Sequence, residues 1–176
     1  MSHAASRRPG PLVRPRTLLR RLERLRRRRP RPRVILANGL FDLLHVGHLR
    51  YLRAARALGD FLVVAINDDR SARRLRGAGR PIIAGRDRAR LIAALEGVDA
   101  VVLFGGDTVG PLLRLLRPDV HCKGTDYRPG SVPERHIVLE YGGRIRIVGD
   151  RKRHATTDLL SRLAPRPAWR LVRRRR

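Results

Sequence analysis

Apolar residues in this chain gather into short runs that alternate with stretches of helical spacing. Val34–Ala37, Phe61–Asn67, Ala100–Phe104, Asp119–Lys123 and Arg144–Val148 have the length and residue types of strands. The unbroken apolar run in Phe61–Asn67 predicts a strand covered on both faces. Helical patterns fall between them. Val46–Leu58 ends near Gly59, Asp87–Leu95 follows, and Val109–Leu116 is stopped by Arg117-Pro118. Pro133–Tyr141 closes at Gly142-Gly143, and Thr156–Leu163 opens on a threonine that can cap it. Repeated β–α alternation predicts the α/β class, a doubly wound parallel sheet in a single domain over residues 34–164. Right-handed crossovers bring every strand's C-terminal end to one side, where such sheets bind ligands. Asn38-Gly39, Asn67-Asp68, Phe104-Gly105 and Lys123-Gly124 all lie at those ends.

The flanks read differently. Residues 1–33 are rich in proline and arginine and poor in apolar side chains, so a flexible, solvated extension is expected there. Leu18, Leu19, Leu22 and Leu25 recur at helical spacing within it, which offers a second reading, a short basic amphipathic helix over Thr17–Arg28. Residues 165–176 form a basic tail, and the sheet is expected to be complete without either flank.

Net charge sharpens this division. The chain carries +26 at neutral pH, a value that suggests nucleic acid until it is located. Residues 1–33 hold 13 arginines and one glutamate, and residues 151–176 hold 10 basic residues and one aspartate. The span 34–150 has 18 basic and 13 acidic residues, so the body is only mildly basic. Affinity for nucleic acid is therefore expected to be non-specific and confined to the tails. Only two of the 41 basic residues are lysine, Lys123 and Lys152. The single cysteine, Cys122, excludes an internal disulfide and fits a reducing, cytoplasmic setting, and it reads as a small buried hydrophobe. No segment approaches the ~20 apolar residues of a membrane span, and the N-terminus lacks the apolar core of a secretory signal.

The chemistry concentrates after the first strand, where His45-Val46-Gly47-His48 opens a helix six residues beyond Gly39. A helix start presents unpaired N–H groups and the positive end of a dipole, both suited to phosphate. Histidines at i and i+3 share a side of the helix, and Gly47 between them lets a phosphate approach the backbone. Asp42 is placed to organise the turn through backbone N–H groups. Arg73, Arg74, Arg76 and Arg80 fall on a glycine-punctuated segment, read as a loop able to close over phosphates. Lys123-Gly124-Thr125-Asp126-Tyr127 opens from a strand end onto the same edge, with a cation for phosphate and a carboxylate for hydroxyls. Thr156 and Thr157 begin the last helix, a second place where N–H groups and hydroxyls could meet phosphate. No cluster of Cys, His and carboxylates marks a metal site. No Gly-x-x-x-x-Gly-Lys-[Ser/Thr] is present, and no Gly-x-Gly-x-x-Gly follows the first strand. His121, His136, His3 and Trp169 show no partner pattern and receive no role.

Four blocks in order carry a resemblance: residues 38–48, residues 75–82, residues 123–127 and His154-Ala155-Thr156-Thr157. Together they resemble the HxGH nucleotidyltransferases, and most closely the bacterial heptose 1-phosphate adenylyltransferases, over about 34–163. Leu40, Arg76 and Ala155 depart from the cysteine, lysine and serine usual in that family. The resemblance implies a Rossmann-like fold and transfer of AMP from ATP, with Mg²⁺ arriving on the triphosphate, to a sugar 1-phosphate. It implies catalytic roles for His45, His48 and Arg76. It further implies nucleotide contacts at Asn38, Gly39, Phe41, Gly47, Lys123, Gly124, Asp126, Thr156 and Thr157. A homodimer is compatible with it, and a separate sugar kinase is expected to supply the substrate. Two alternatives stand beside it. One is a cytidylyltransferase acting on glycerol 3-phosphate or a phosphorylated amino alcohol. The other is a nucleic-acid-binding protein built on a degenerate catalytic core.

Overall fold

A computed structural model describes residues 10–150. Thr156, Thr157, Ala155, the helix expected at Thr156–Leu163 and the C-terminal tail lie outside the described residues, as do residues 1–9. Five strands, β1 (Val34–Gly39), β2 (Phe61–Asn67), β3 (Ala100–Phe104), β4 (Val120–Lys123) and β5 (Arg144–Ile147), form one sheet in the order β3-β2-β1-β4-β5. Every pairing is parallel. The doubly wound parallel sheet expected from the β–α alternation is therefore the observed one. The strand order reverses direction between β1 and β4, which is where an open α/β sheet leaves a crevice.

Helices α2 (Val46–Arg56) and α4 (Gly85–Ala93) cover one face over Ile35, Ala37, Leu62, Val64 and Cys122. Helices α5 (Gly110–Leu116) and α6 (Arg135–Glu140) cover the other over Val34, Leu36, Val63 and Val102. β2 is buried along its whole length, as its unbroken apolar run predicts. β5 alternates exposed arginines with half-buried isoleucines, the pattern of an edge strand with one wet face.

Two segments differ from expectation. The first is the N-terminal extension, where the solvated-tail reading fails and the helix offered beside it over Thr17–Arg28 is the one observed, shifted by two residues. Pro15–Arg26 is a helix, α1, opened by proline at its first position, and Leu18 and Leu22 are completely buried in the core with α5. Before it, Leu12 forms a parallel bridge to Val101, so the chain adds itself to the outer edge of β3. The arginines that suggested a solvated tail are used structurally. Arg21 donates to the Asp99 carbonyl and lies over the Phe61 ring, and Arg26 donates to the carbonyls of Leu116 and Arg117 at the end of α5. Composition misleads here because an arginine stem can lie along apolar surface while its head satisfies helix-terminal carbonyls. Residues 10–33 are part of the packed body, not an addition to it.

The second is α3 (Asp69–Arg76), read from sequence as loop. Its eight residues bury only Ser71 and Ala72, too little for an apolar stripe. The helix is instead started by Asp68, whose carboxylate accepts from the Ser71 N–H at 2.7 Å. Arg73, Arg74 and Arg76 thus sit on the last turn of a helix, where cations are favoured by its dipole.

Leu22→Ala removes a fully buried side chain where α1 meets the core. It is expected to lower stability by about 2–5 kcal/mol, read from urea denaturation of the full chain. A change under about 0.5 kcal/mol would mean that α1 does not pack in solution.

Candidate active site

The C-terminal ends of β1, β2, β3 and β4 open onto one cleft of about 500 Å³. The described residues given catalytic or nucleotide-contact roles all line it (Asn38, Gly39, Phe41, His45, Gly47, His48, Arg76, Lys123, Gly124 and Asp126), whereas Arg73 and Arg74, read as able to close over phosphates, do not. Parallel topology brings the lining residues together, because all four strands end on the same side.

His45 stands just ahead of α2 as its N-cap, in extended conformation, and its Nδ1 accepts from the Gly47 N–H at 3.1 Å. The helix-start N–H that was expected to be open to phosphate is therefore taken by His45 itself. In a neutral ring that bond leaves the proton on Nε2. His48 lies one turn on, its ring stacked on His45 with centroids 3.9 Å apart. Phe41 meets His48 edge-on at 5.1 Å and stacks on Tyr51 at 6.4 Å. With 2% exposure Phe41 acts as the floor beneath the histidines, and its backbone takes a left-handed φ of 52° to reach there. A Cβ on Gly39 would stand 3.0 Å from that ring, so glycine at this position leaves room for the floor.

Carboxylates and a buried guanidinium fix the loops around this pair. Asp42, read from sequence as a brace for its own turn, reaches instead to a distant segment. It accepts from Ile82 N (2.8 Å), Ile83 N (3.1 Å) and the Arg80 guanidinium (2.6 Å). Burial opposes its charge, but these donors outweigh burial and hold the carboxyl below its usual range. Arg80 is thereby committed to Asp42 and is not a loose phosphate ligand. Arg88 is completely buried. Its guanidinium donates to the carbonyls of Leu40, Ile83 and Asn67 and to the Asp69 carboxylate. Sequence reading passed over Arg88 because nothing in an arginine-rich helix separates one guanidinium from its neighbours.

His121, given no role from sequence, is buried on β4, and its Nε2 lies 3.0 Å from Asn38 Oδ1 on β1. The two residues are on one face of adjacent strands, astride the reversal of strand order. Burial, reinforced by the Lys123 charge, pushes its imidazole down to about 3, so it is neutral at physiological pH. On the far side of the sheet Tyr51 donates to the Cys122 carbonyl at 2.8 Å and ties α2 to β4. Cys122 is buried as expected, and burial pushes its thiol up to about 12. Lys123 is also buried, its Nζ 3.6 Å from Glu134 Oε2 and 4.5 Å above the Tyr127 ring. Glu134 was missed from sequence, where it falls in the first turn of the helix expected at Pro133–Tyr141; in the structure it stands just ahead of α6. Two further ion pairs at the rim, Arg50 with Asp150 and Arg74 with Asp107, are exposed and contribute little to stability. Among the described residues, no group of three or more His, Cys, Asp or Glu is arranged to hold a metal ion. No described helix is long and apolar enough to cross a membrane.

Comparison with known proteins adds a family. Residues 36–168 match the profile described as cytidylyltransferase-like. The chain is similar to the bifunctional protein HldE of Syntrophotalea carbinolica, 44% identical over 154 residues, covering 88% of this chain and 31% of that protein. It is likewise similar to HldE of Geotalea uraniireducens, 47% identical over 131 residues, covering 74% of this chain and 27% of that one. The chain thus spans under a third of the length of these relatives. Among solved structures, the lipopolysaccharide core biosynthesis protein of Thermoplasma volcanium superposes with a TM-score of 0.57 at 28% identity. That match covers 68% of this chain and 99% of that one.

Two outcomes test the framework. Arg88→Met leaves one buried and two partly buried carbonyls, and the Asp69 carboxylate, without their donor. It is expected to cost at least about 3 kcal/mol in chemical denaturation, and a loss below about 1 kcal/mol would refute the bracing role. The second concerns pH. Unfolded, His121 titrates near 6.5, and folded near about 3, so between these values the unfolded chain binds more protons. Its contribution is full above pH 6.5 and falls as pH drops toward 3, by up to about 1.4 kcal/mol per unit. His121→Gln, which can keep the Asn38 bond without titrating, is expected to lose less stability than wild type between pH 7 and pH 4.5. Parallel losses in the two proteins would show that His121 is not held neutral.

Proposed function

Because the chain belongs to the cytidylyltransferase-like family, we propose that it is a nucleotidyltransferase that moves AMP from MgATP to a sugar 1-phosphate, foremost a heptose 1-phosphate, with release of pyrophosphate. The observation that carries this reading is the stacked pair His45–His48, set at the start of α2 on a cleft at the reversal of strand order. The similarity to HldE proteins and to a lipopolysaccharide core biosynthesis protein supports a sugar acceptor.

The reaction needs no general base. A phosphate monoester, with second pKa near ~6, is already ionised at neutral pH. One of its oxygens attacks the α-phosphorus in line, a P–O bond forms, and the bond to the β-phosphate oxygen breaks as pyrophosphate leaves. The protein supplies position and positive potential for charge that builds on the α-phosphate and the departing oxygen. With Nδ1 satisfied by Gly47, His45 can present its Nε2 proton to such an oxygen. His48, held by the rings of His45 and Phe41, acts beside it. Arg76, at the last turn of α3 on the cleft wall, places a guanidinium where the family motif has lysine, and its planar fork suits two phosphate oxygens. Mg²⁺ belongs to the substrate, coordinated by triphosphate oxygens. Asn38 and Gly39 border the nucleotide, and Thr156 and Thr157 are assigned by motif to its phosphates. A kinase-type reaction must supply the sugar 1-phosphate.

The test is pyrophosphate release with ATP and with CTP against sugar 1-phosphates and glycerol 3-phosphate. ATP with heptose 1-phosphate is expected to give the highest turnover, and His48→Ala to lower kcat by about 10²–10³ while the fold persists. Turnover with CTP and glycerol 3-phosphate alone would move the protein to a different substrate branch. Unchanged kcat in His48→Ala would refute the mechanism.

A further inference from the structure

The two ends of the cleft differ in charge. His45, His48 and Arg76 line it from the segments that follow β1 and β2, and the Arg76 guanidinium supplies a positive charge there. At the end built by β4, the cation present is already balanced. The Lys123 side chain is 8% exposed and that of Glu134 is 6% exposed, and their charged atoms are 3.6 Å apart. A compensated pair in so buried a place offers a phosphate little net attraction, and the carboxylate would repel it. The sequence reading gave Lys123 to phosphate, whereas its surroundings favour an uncharged part of the ligand.

Glu134 itself is short of donors. Its Oε2 is buried without a hydrogen-bond partner, because 3.6 Å to Lys123 is an ion pair beyond hydrogen-bonding distance. An ionised carboxylate is an acceptor only, with about four acceptor positions, and buried acceptors left unfilled are rare. Such a group in a ligand cleft calls for a donor that arrives with the ligand. Beside it, a Cβ on Gly124 would meet nothing within 4 Å, so the wall is open at that point. Asp126 is exposed, while Glu134 lies in the buried wall.

We propose that Glu134 is a specificity-determining residue that accepts hydrogen bonds from sugar hydroxyls of the bound ligand, with Lys123 and Tyr127 fixing its carboxylate. The ligand then lies with its phosphates toward His45 and His48 and its hydroxyl-bearing part against β4. This rests on the nucleotidyltransferase reading and adds the orientation of the ligand. The hydroxyls belong either to the ribose of the nucleotide or to the acceptor sugar, and both present the same chemistry.

Calorimetric binding to the full chain separates these sources without requiring turnover. One arm compares MgATP with its 2′-deoxy and 3′-deoxy forms. The other compares mannose 1-phosphate with its deoxy-sugar analogues. In wild type, removal of the recognised hydroxyl is expected to weaken binding about tenfold or more. Glu134→Ala is expected to weaken the parent ligand by about the same factor, and to leave the analogue lacking that hydroxyl unaffected. Glu134→Gln, nearly isosteric, is expected to show an intermediate loss. If wild type does not discriminate any deoxy analogue, the proposal fails whether or not the variants fold. It fails equally if Glu134→Ala weakens parent and analogue alike, the result of a purely structural ion pair. If wild type binds neither MgATP nor the sugar phosphate, the nucleotidyltransferase reading falls as well. Binding with no coupling to Glu134 removes this proposal alone.

Discussion

The buried guanidinium of Arg88 is the constraint on which the rest of the cleft depends. It takes a charge wholly out of water, which is tolerable only because four of its five N–H groups are matched to three carbonyls and a carboxylate. Those acceptors come from four points along the chain: the loop after β1, the end of β2, the start of α3 and the segment before α4. Loop carbonyls near a ligand cleft cannot be satisfied by a ladder, so a side chain must do it. Arg88 does so for the backbone that carries Leu40, one residue beyond Gly39 and one before Phe41. The floor under the histidines is set from below by α4.

Asp42 completes the bracing from the other side. Its carboxylate gathers two backbone N–H groups and the Arg80 guanidinium, joining the loop before α2 to the segment before α4. Together with Tyr51 on the Cys122 carbonyl and His121 on Asn38, this makes a frame in which polar contacts cross between elements at every corner of the cleft. On the nucleotidyltransferase reading proposed above, groups so held would reorganise little when a phosphate arrives, which is how a site with modest chemistry of its own can favour a transition state.

Charge in this protein is spent in two ways. On α1, arginines lie over a ring or close the carbonyl end of α5 and so help a basic segment to pack. In the cleft, cations are sorted by their partners. Arg80 and Lys123 are matched to carboxylates, and Arg88 is consumed by the framework. A count of basic residues says nothing of this sorting, which follows from burial and distance.

The sequence by itself determined the class of fold, the strands and most of the helices, because the period of apolar residues is a local property that survives without tertiary context. It also determined which motifs meet: strand ends in a parallel sheet converge whatever the details of packing. Thus His45, His48, Asn38, Arg76 and Lys123 were legible as neighbours before any coordinates. Helix α3 was not, because it is held by an aspartate cap and buries almost nothing. Nor was the docking of α1, where two leucines among many arginines decide the outcome. Only tertiary structure showed that His45 consumes the Gly47 N–H, that Arg88 and Asp42 brace the loops, and that Lys123 is matched by Glu134. Each of these is a contact between side chains or backbone groups whose sequence neighbours carry no sign of it. Such partners are chosen by the distances that remain once the sheet and helices have packed.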